Sequence, residues 1–236
     1  MPEPLLSVVI PVGPCEDEIP LGLLQDLEAL PEGSEVIFVG CDPAQSLFLK
    51  KLPVTYTQLY SVPGRAAQMN SGAAQANGKF LWFLHIDSRF QPELIQQLIK
   101  NLKQYPQRFH YNLLEFVVEG QAPMKLNAYG ANLRSKLLGV PFGDQGFALS
   151  RSLFKEIGPY PVNVSYGEDH LLVWFARQHG VKLHCNEHML KTSARKYQLK
   201  GWWRLTCKYQ YLWLRQAWPE FLKLIKRRYF SPRCQR

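Results

Sequence analysis

Through the first hundred residues, short apolar runs with strand character alternate with stretches whose leucines or small residues fall at helical spacing. Residues 5–11 are a β-rich run, 35–39 a second and 54–60 a third. Residues 79–85 are a fourth, built on the apolar block Phe80 to Leu84. Between them, 20–30 sets Leu23, Leu24 and Leu27 at helical spacing, and 64–76 is rich in small residues and good helix formers. Pro92, followed by Glu93, opens a helix to about Tyr105. Strand and helix repeated in this way predict an α/β fold, a mainly parallel sheet with helices on both faces.

Beyond residue 105 the pattern loosens. It predicts a strand over 113–118, a helix over 124–138 and a short Gly-punctuated strand within 143–150. A helix over 168–178 carries Leu171, Leu172 and Phe175 on one side. No repeat, low-complexity stretch or interdomain linker interrupts the chain. The expected division is a catalytic domain over 1–198 and a basic, aromatic-rich helical extension over 199–236, packed on that domain or lying at a membrane. Within the extension, Arg204, Lys208 and Arg215 share one helical face, with Trp202, Tyr209 and Trp213 roughly opposite. Pro219 and Glu220 predict the start of a second helix.

Charge sharpens this division. The chain has a net +9, but thirteen Lys and Arg from residue 191 onward face Glu220 alone, so that segment carries +12 and residues 1–190 carry −3. A field confined to one end argues against nucleic-acid binding spread over the fold. It leaves a local surface for an anionic membrane, a phosphate-rich ligand or a nucleic acid. Met1-Pro2-Glu3-Pro4 puts an acid where a leader peptide would have bases, and no apolar run approaches the roughly 20 residues of a membrane span. The five cysteines are scattered and none forms a CxxC pair. Neither a zinc site nor a disulfide framework is expected, and a cytoplasmic setting fits, peripheral on the inner membrane face if the tail binds lipid.

The candidate chemistry starts at the fourth strand, which delivers His85 and Asp87. Ligands of open α/β sheets gather at carboxyl ends of strands. Side chains two apart on a strand point the same way, so this pair would share one cation or one phosphate-bearing ligand. Other short motifs follow in order: Ser7-Val8-Val9-Ile10-Pro11, Gly64-Arg65-Ala66-x-Gln68-Met69-Asn70-x-Gly72-Ala73, Phe83-Leu84-His85-x-Asp87, Gly143-Asp144-Gln145-Gly146 and Glu168-Asp169. Over residues 5–200 this order resembles the family-2-type glycosyltransferases with the GT-A fold. It looks most like the radical-SAM/selenodomain-associated subgroup.

The resemblance implies an enzyme that moves a sugar from a nucleoside-diphosphate-sugar donor to an acceptor hydroxyl, with inversion and with a divalent cation, Mn²⁺ or Mg²⁺. His85-x-Asp87 stands where the family has Asp-x-Asp or His-x-Asp. Asp87 would be a metal ligand, and His85 a second ligand or a phosphate or ribose contact. Pro11, Asp42, Arg65, Gln68 and Asn70 fall on the donor side. Arg65 suits a phosphate or a base, since guanidinium pairs with one and stacks on the other. Asp169 would be the general base, and Glu168 would orient it or touch the acceptor. Asp144 and Gln145 match the acceptor or donor-sugar loop, and Arg195 matches a basic segment that closes on the diphosphate.

The chain departs from the family in two places. The acidic pattern after the first strand reads Pro11-Val12-Gly13-Pro14-Cys15-Glu16, and the Asp-Gly-Gly-Ser stretch after the second reads Gly40-Cys41-Asp42-Pro43-Ala44-Gln45. Two alternatives stand beside the transferase. One is a degenerate, non-catalytic module acting through its basic tail. The other is a nucleotidyltransferase, which should carry a Gly-rich loop with Lys or Arg after the first strand; Gly13-Pro14 offers none.

Overall fold

The strands are β1 (Leu6–Pro11), β2 (Glu35–Gly40), β3 (Thr55–Tyr60), β4 (Phe80–Phe83), β5 (Phe109–Val117), β6 (Ala148–Ser150) and β7 (Leu183–Ser193). They form one sheet in the order β3-β2-β1-β4-β6-β5-β7. β3, β2, β1 and β4 run parallel, β6 is antiparallel to both β4 and β5, and β7 is parallel to β5. The sheet is therefore mixed and mostly parallel, with β6 the reversed strand. The computed structural model describes residues 4–14, 16, 18–43, 54–117 and 123–230.

Strand periodicity builds a core on each face of the sheet. Leu6, Val8 and Ile10 of β1 point with Phe80 and Trp82 of β4 toward α1 (Leu21–Leu27) and α3 (Pro92–Gln104). Val9, Leu81 and Phe83 point the other way, toward α2 (Arg65–Gln75), α5 (Arg151–Ile157) and α6 (Glu168–Gln178). The small residues of α2 serve close packing: a Cβ at Gly72 would run into the Val9 side chain. Glu35 is almost fully buried, at 9 % exposure, and it accepts hydrogen bonds from the Ser7 hydroxyl (2.6 Å) and the Asn77 amide (2.7 Å).

Several elements differ from the sequence reading. β4 ends at Phe83 rather than at residue 85, so His85 and Asp87 lie in the turn beyond the strand. β5 begins four residues before the predicted 113; the predicted end, Val118, lies outside the described residues, as do Cys15, Ala44, Gln45 and Cys234. Neither β7 nor α5 is signalled by periodicity. β7 reads Leu-His-Cys-Asn-Glu-His-Met-Leu-Lys-Thr-Ser, and its buried polar residue Asn186 is matched to Asn101 (2.6 Å) and the Tyr111 carbonyl (3.2 Å). The stretch 143–150 is a 3-10 turn, Gly143–Gln145, followed by the three-residue β6.

The C-terminal segment forms α7 (Arg195–Lys200) and one long α8 (Trp202–Phe230). A helix break at Pro219 is not observed. Proline costs one bond there, to the Arg215 carbonyl, and the helix is held on α6 either side of it. Gln216 meets His170 at 3.1 Å before the proline, and Glu220 accepts from Gln178 at 2.8 Å after it. The inward side of α8 packs Ala217 with Trp174 and Val140, flanked by Trp213 and Leu224. Tyr209 stacks on Tyr166, ring centroids 6.0 Å apart. α4 (Met124–Leu138) lies beside the first half of α8.

Candidate active site

The carboxyl end of β4, the N-terminus of α2, the 3-10 turn at 143–145 and the first turn of α6 converge on one charged cluster. Arg65, the first residue of α2, forms an ion pair with Glu168 (3.4 Å), and its Nη1 lies 3.5 Å from His85 Nε2. Asp169 is gripped by main chain: one carboxylate oxygen accepts the Gly143 amide at 2.6 Å and the other accepts the His170 amide at 2.8 Å. A Cβ at Gly143 would lie 2.7 Å from that same carboxylate and 3.2 Å from His85 Nε2, so only glycine lets the turn come this close. Beside the cluster, a cleft of about 380 Å³ is bordered by Val62, Arg65, Val164, Tyr166 and Glu168.

The charges are strongly coupled. Burial pushes the Asp169 carboxyl up, but Arg65, the two amides and His85 together hold it below the usual carboxylate range. Glu168 is raised by burial and by the Asp169 charge, against the pull of Arg65. Burial, then Arg65, drives His85 down to about 4, against the attraction of Asp87 and Asp169. The imidazole is therefore neutral at neutral pH and able to accept. Asp144 is pushed up to about 6 by burial and by Asp169, with Arg134 opposing, and its buried Oδ1 has no hydrogen-bond partner. The cluster is acid-rich and held together by Arg65, with Arg134 behind it.

Not every predicted residue faces this cluster. Gln68 is buried, and its Nε2 donates to the carbonyls of Val12 (2.6 Å) and Val39 (2.7 Å), strapping α2 to the ends of β1 and β2. Asn70 makes both bonds to the main chain of Tyr160, donating to its carbonyl (2.8 Å) and accepting its amide (2.9 Å). Gln145 is fully buried. It donates to the Asn112 carbonyl (2.9 Å) and accepts from the Ser135 hydroxyl (2.7 Å) and the Phe142 amide (3.1 Å). All three side-chain amides are committed to the fold in this structure, where they were expected as ligand contacts. Buried amides make such bonds because an unmatched polar group costs about 1–3 kcal/mol. Pro11 ends β1 in register with Val39, and Asp42 is exposed just past β2. Arg195 is exposed at the start of α7; its neighbour Lys196 is the cation whose charge reaches His85.

Two residues were missed. Arg134 of α4 lies over the Phe142 ring at 3.7 Å, and its charge acts on both Asp144 and Asp169. Nothing in helical periodicity marks it, since Lys125 and Lys136 of the same helix point to solvent. His170 is the second. Trp174 donates to its Nε2 at 2.9 Å, which leaves the proton on Nδ1, facing the Gln216 Oε1 at 3.1 Å. His170 thereby joins the first turn of α6 to α8. A Cβ at Gly167, the residue capping α6 with φ of 73°, would collide with that same Gln216.

Among the described residues no three His, Cys, Asp or Glu side chains gather as a closed metal cage. The donor set still fits a hard divalent cation that takes one or two side chains and completes its shell with phosphate oxygens and water. Asp87 is exposed in the turn and Asp144 has an unmatched buried oxygen nearby. His85 Nε2 is open to a cation only when Arg65 leaves it.

The mostly parallel sheet flanked by helices has the GT-A fold, shared with the solved structures named below. The model of Glycosyl transferase family 2 matches residues 42–158, just under half of the chain. It is 25% identical over 167 residues to an uncharacterized glycosyltransferase of Haemophilus influenzae, covering 65% of this chain and 55% of that one. Among solved structures it resembles S. aureus TarS 1-349, with a TM-score of 0.61 and 18% identity over 80% of this chain and 60% of that one. The same fragment in complex with UDP-GlcNAc gives a TM-score of 0.56 at 17% identity, covering 80% of this chain and 58% of that one. The chain thus spans little more than half the length of these relatives.

Proposed function

We propose that this chain transfers a sugar from a uridine-diphosphate sugar to an acceptor hydroxyl, in one displacement with inversion. The observation that carries it is one charged cluster of Arg65, His85, Asp87, Asp144, Glu168 and Asp169, of which Arg65 and Glu168 border the neighbouring cleft. The uridine base is taken from TarS, whose structure holds UDP-GlcNAc at 17% identity. The order of motifs favours the radical-SAM/selenodomain-associated subgroup within the family.

Asp169 serves as the base. Held ionised by Arg65 and two amides, it is ready to accept the hydroxyl proton as the acceptor oxygen bonds to the anomeric carbon. The bond from that carbon to the diphosphate breaks, and the diphosphate leaves with the electron pair. Glu168 holds Arg65 in the absence of donor; a diphosphate competes for the same guanidinium and draws it from His85. Arg65, with Arg195 and Lys196 on α7, then faces the leaving charge. When bound, a divalent cation held by Asp87, with His85 once Arg65 has moved, supplies positive charge against the diphosphate.

Thermal shift with UDP and UDP-GlcNAc, with and without Mn²⁺, tests the donor half. Metal-dependent stabilisation that disappears in Asp87→Ala is expected, because a ligand that binds only the native state raises Tm with its occupancy. No shift with any nucleotide would move the reading to a non-catalytic module. Asp169→Asn tests the base: it should keep the donor shift and lose turnover by about 10²–10⁴-fold. Turnover unchanged in that variant sinks Asp169 as the base.

A further inference from the structure

α8 turns only part of its surface to the body. Its outward side carries two adjacent stripes. Tyr211, Leu214, Trp218 and Phe221 recur every three or four residues, with Trp203 about two turns before them, and all are exposed, Trp203 at 70% and Trp218 at 65%. Arg204, Lys208, Arg215 and Lys226 form the second stripe and are exposed as well. α4 has its own exposed apolar stripe of Leu126, Tyr129, Leu133 and Leu137, with Lys125 and Lys136 along one border.

The two helices present these stripes together. The Asn127 side chain bonds Thr206 at 3.1 Å, and Arg134, seven residues on, lies 5.7 Å from the Trp213 ring, itself seven beyond Thr206. The helices therefore run side by side in the same direction. At about 100° per residue, that contact line turns both apolar stripes to the same side of the pair, while the cations flank it on left and right. At the junction of α7 and α8, a pocket of about 450 Å³ is lined by Lys200, Arg204 and Lys208 with Leu199 and Leu205. Three cations in a pocket at the margin of an apolar face match a phosphate-bearing headgroup whose acyl chains meet that face.

We propose that the outer faces of α4 and α8 dock this protein onto an anionic phospholipid bilayer, with the Lys200–Arg204–Lys208 pocket taking a headgroup. No helix among the described residues is long and apolar enough to cross a membrane, so the docking is interfacial. Charge names the occupant: residues 191–236 carry +12 on a body of −3. The leucines name it too, since nucleic acid offers phosphate and ring faces but no aliphatic phase to receive Leu126, Leu133, Leu137 and Leu214. The inference does not depend on the transferase reading.

Flotation of the full chain with vesicles of phosphatidylcholine alone, and of phosphatidylcholine with phosphatidylglycerol, provides the test. Binding to the anionic vesicles only is expected. Arg204→Glu with Lys208→Glu should weaken it at least about tenfold, and Trp203→Ser with Trp218→Ser should abolish it. All four positions are exposed, so both double variants should keep Tm and any nucleotide shift, which separates loss of docking from misfolding or a failed donor site. Equal binding to both vesicle types, no binding to either, or binding indifferent to both double variants overturns the proposal. So does a stable dimer that excludes vesicles and is broken by Trp203→Ser with Trp218→Ser, since the face would then belong to a second copy.

Discussion

Asp144 shows how a single side chain records the strain of gathering charge in one place. Its folded carboxyl titrates near 6 against 3.8 in the open chain, raised by burial and by Asp169. A carboxyl raised in this way contributes its stability below about pH 4, and that contribution is lost as pH rises through about 6. Asp144→Asn should therefore raise Tm at neutral pH, with a gain of about 1–3 kcal/mol, and the gain should vanish in acid. A Tm difference that stays constant with pH would show that its charge is not what the fold resists. At this scale the sequence showed which residue types matter but not which way they face. Arg65, His85, Glu168 and Asp169 lie together in one cluster. Gln68, Asn70 and Gln145 carry the same donors and acceptors whether they serve a ligand or a carbonyl, and only tertiary structure tells which.

Among elements, legibility followed hydrophobic period. α3 and α6 were read nearly to the residue because their apolar positions face a core. β7 was not read, because an edge strand built of His, Asn, Glu and Lys has no alternation to see, and its pairing with β5 also carries a bulge at Asn112/Leu113. The break expected at Pro219 failed because packing on α6 outweighs one absent donor. That packing makes α8 part of the fold. A chain ending at Gly201 loses the Gln216–His170 and Glu220–Gln178 contacts and uncovers Trp174. Its Tm should fall by roughly ten degrees or more, as calorimetry would read. An unchanged Tm would make α8 a mere appendage.

For the whole molecule, the cleft has one wall from the β1–β4 half, through α2, and another from the later half, through α6. Asn70 reaches across ninety residues of sequence to hold both main-chain groups of Tyr160, in the segment that leads to Glu168. That amide ties the two walls together beside the Arg65–Glu168 pair and the core they share. Its consequence belongs to time rather than to shape. With the clamp intact, the Tyr160 amide should exchange its hydrogen for deuterium only as slowly as the sheet opens; with Asn70→Ala, the peptide spanning 158–167 should exchange early while the strands stay protected. If both exchange together, the walls are joined through the core and Asn70 is incidental. If they separate, the rhythm with which this cleft admits and releases its ligands is set by one asparagine.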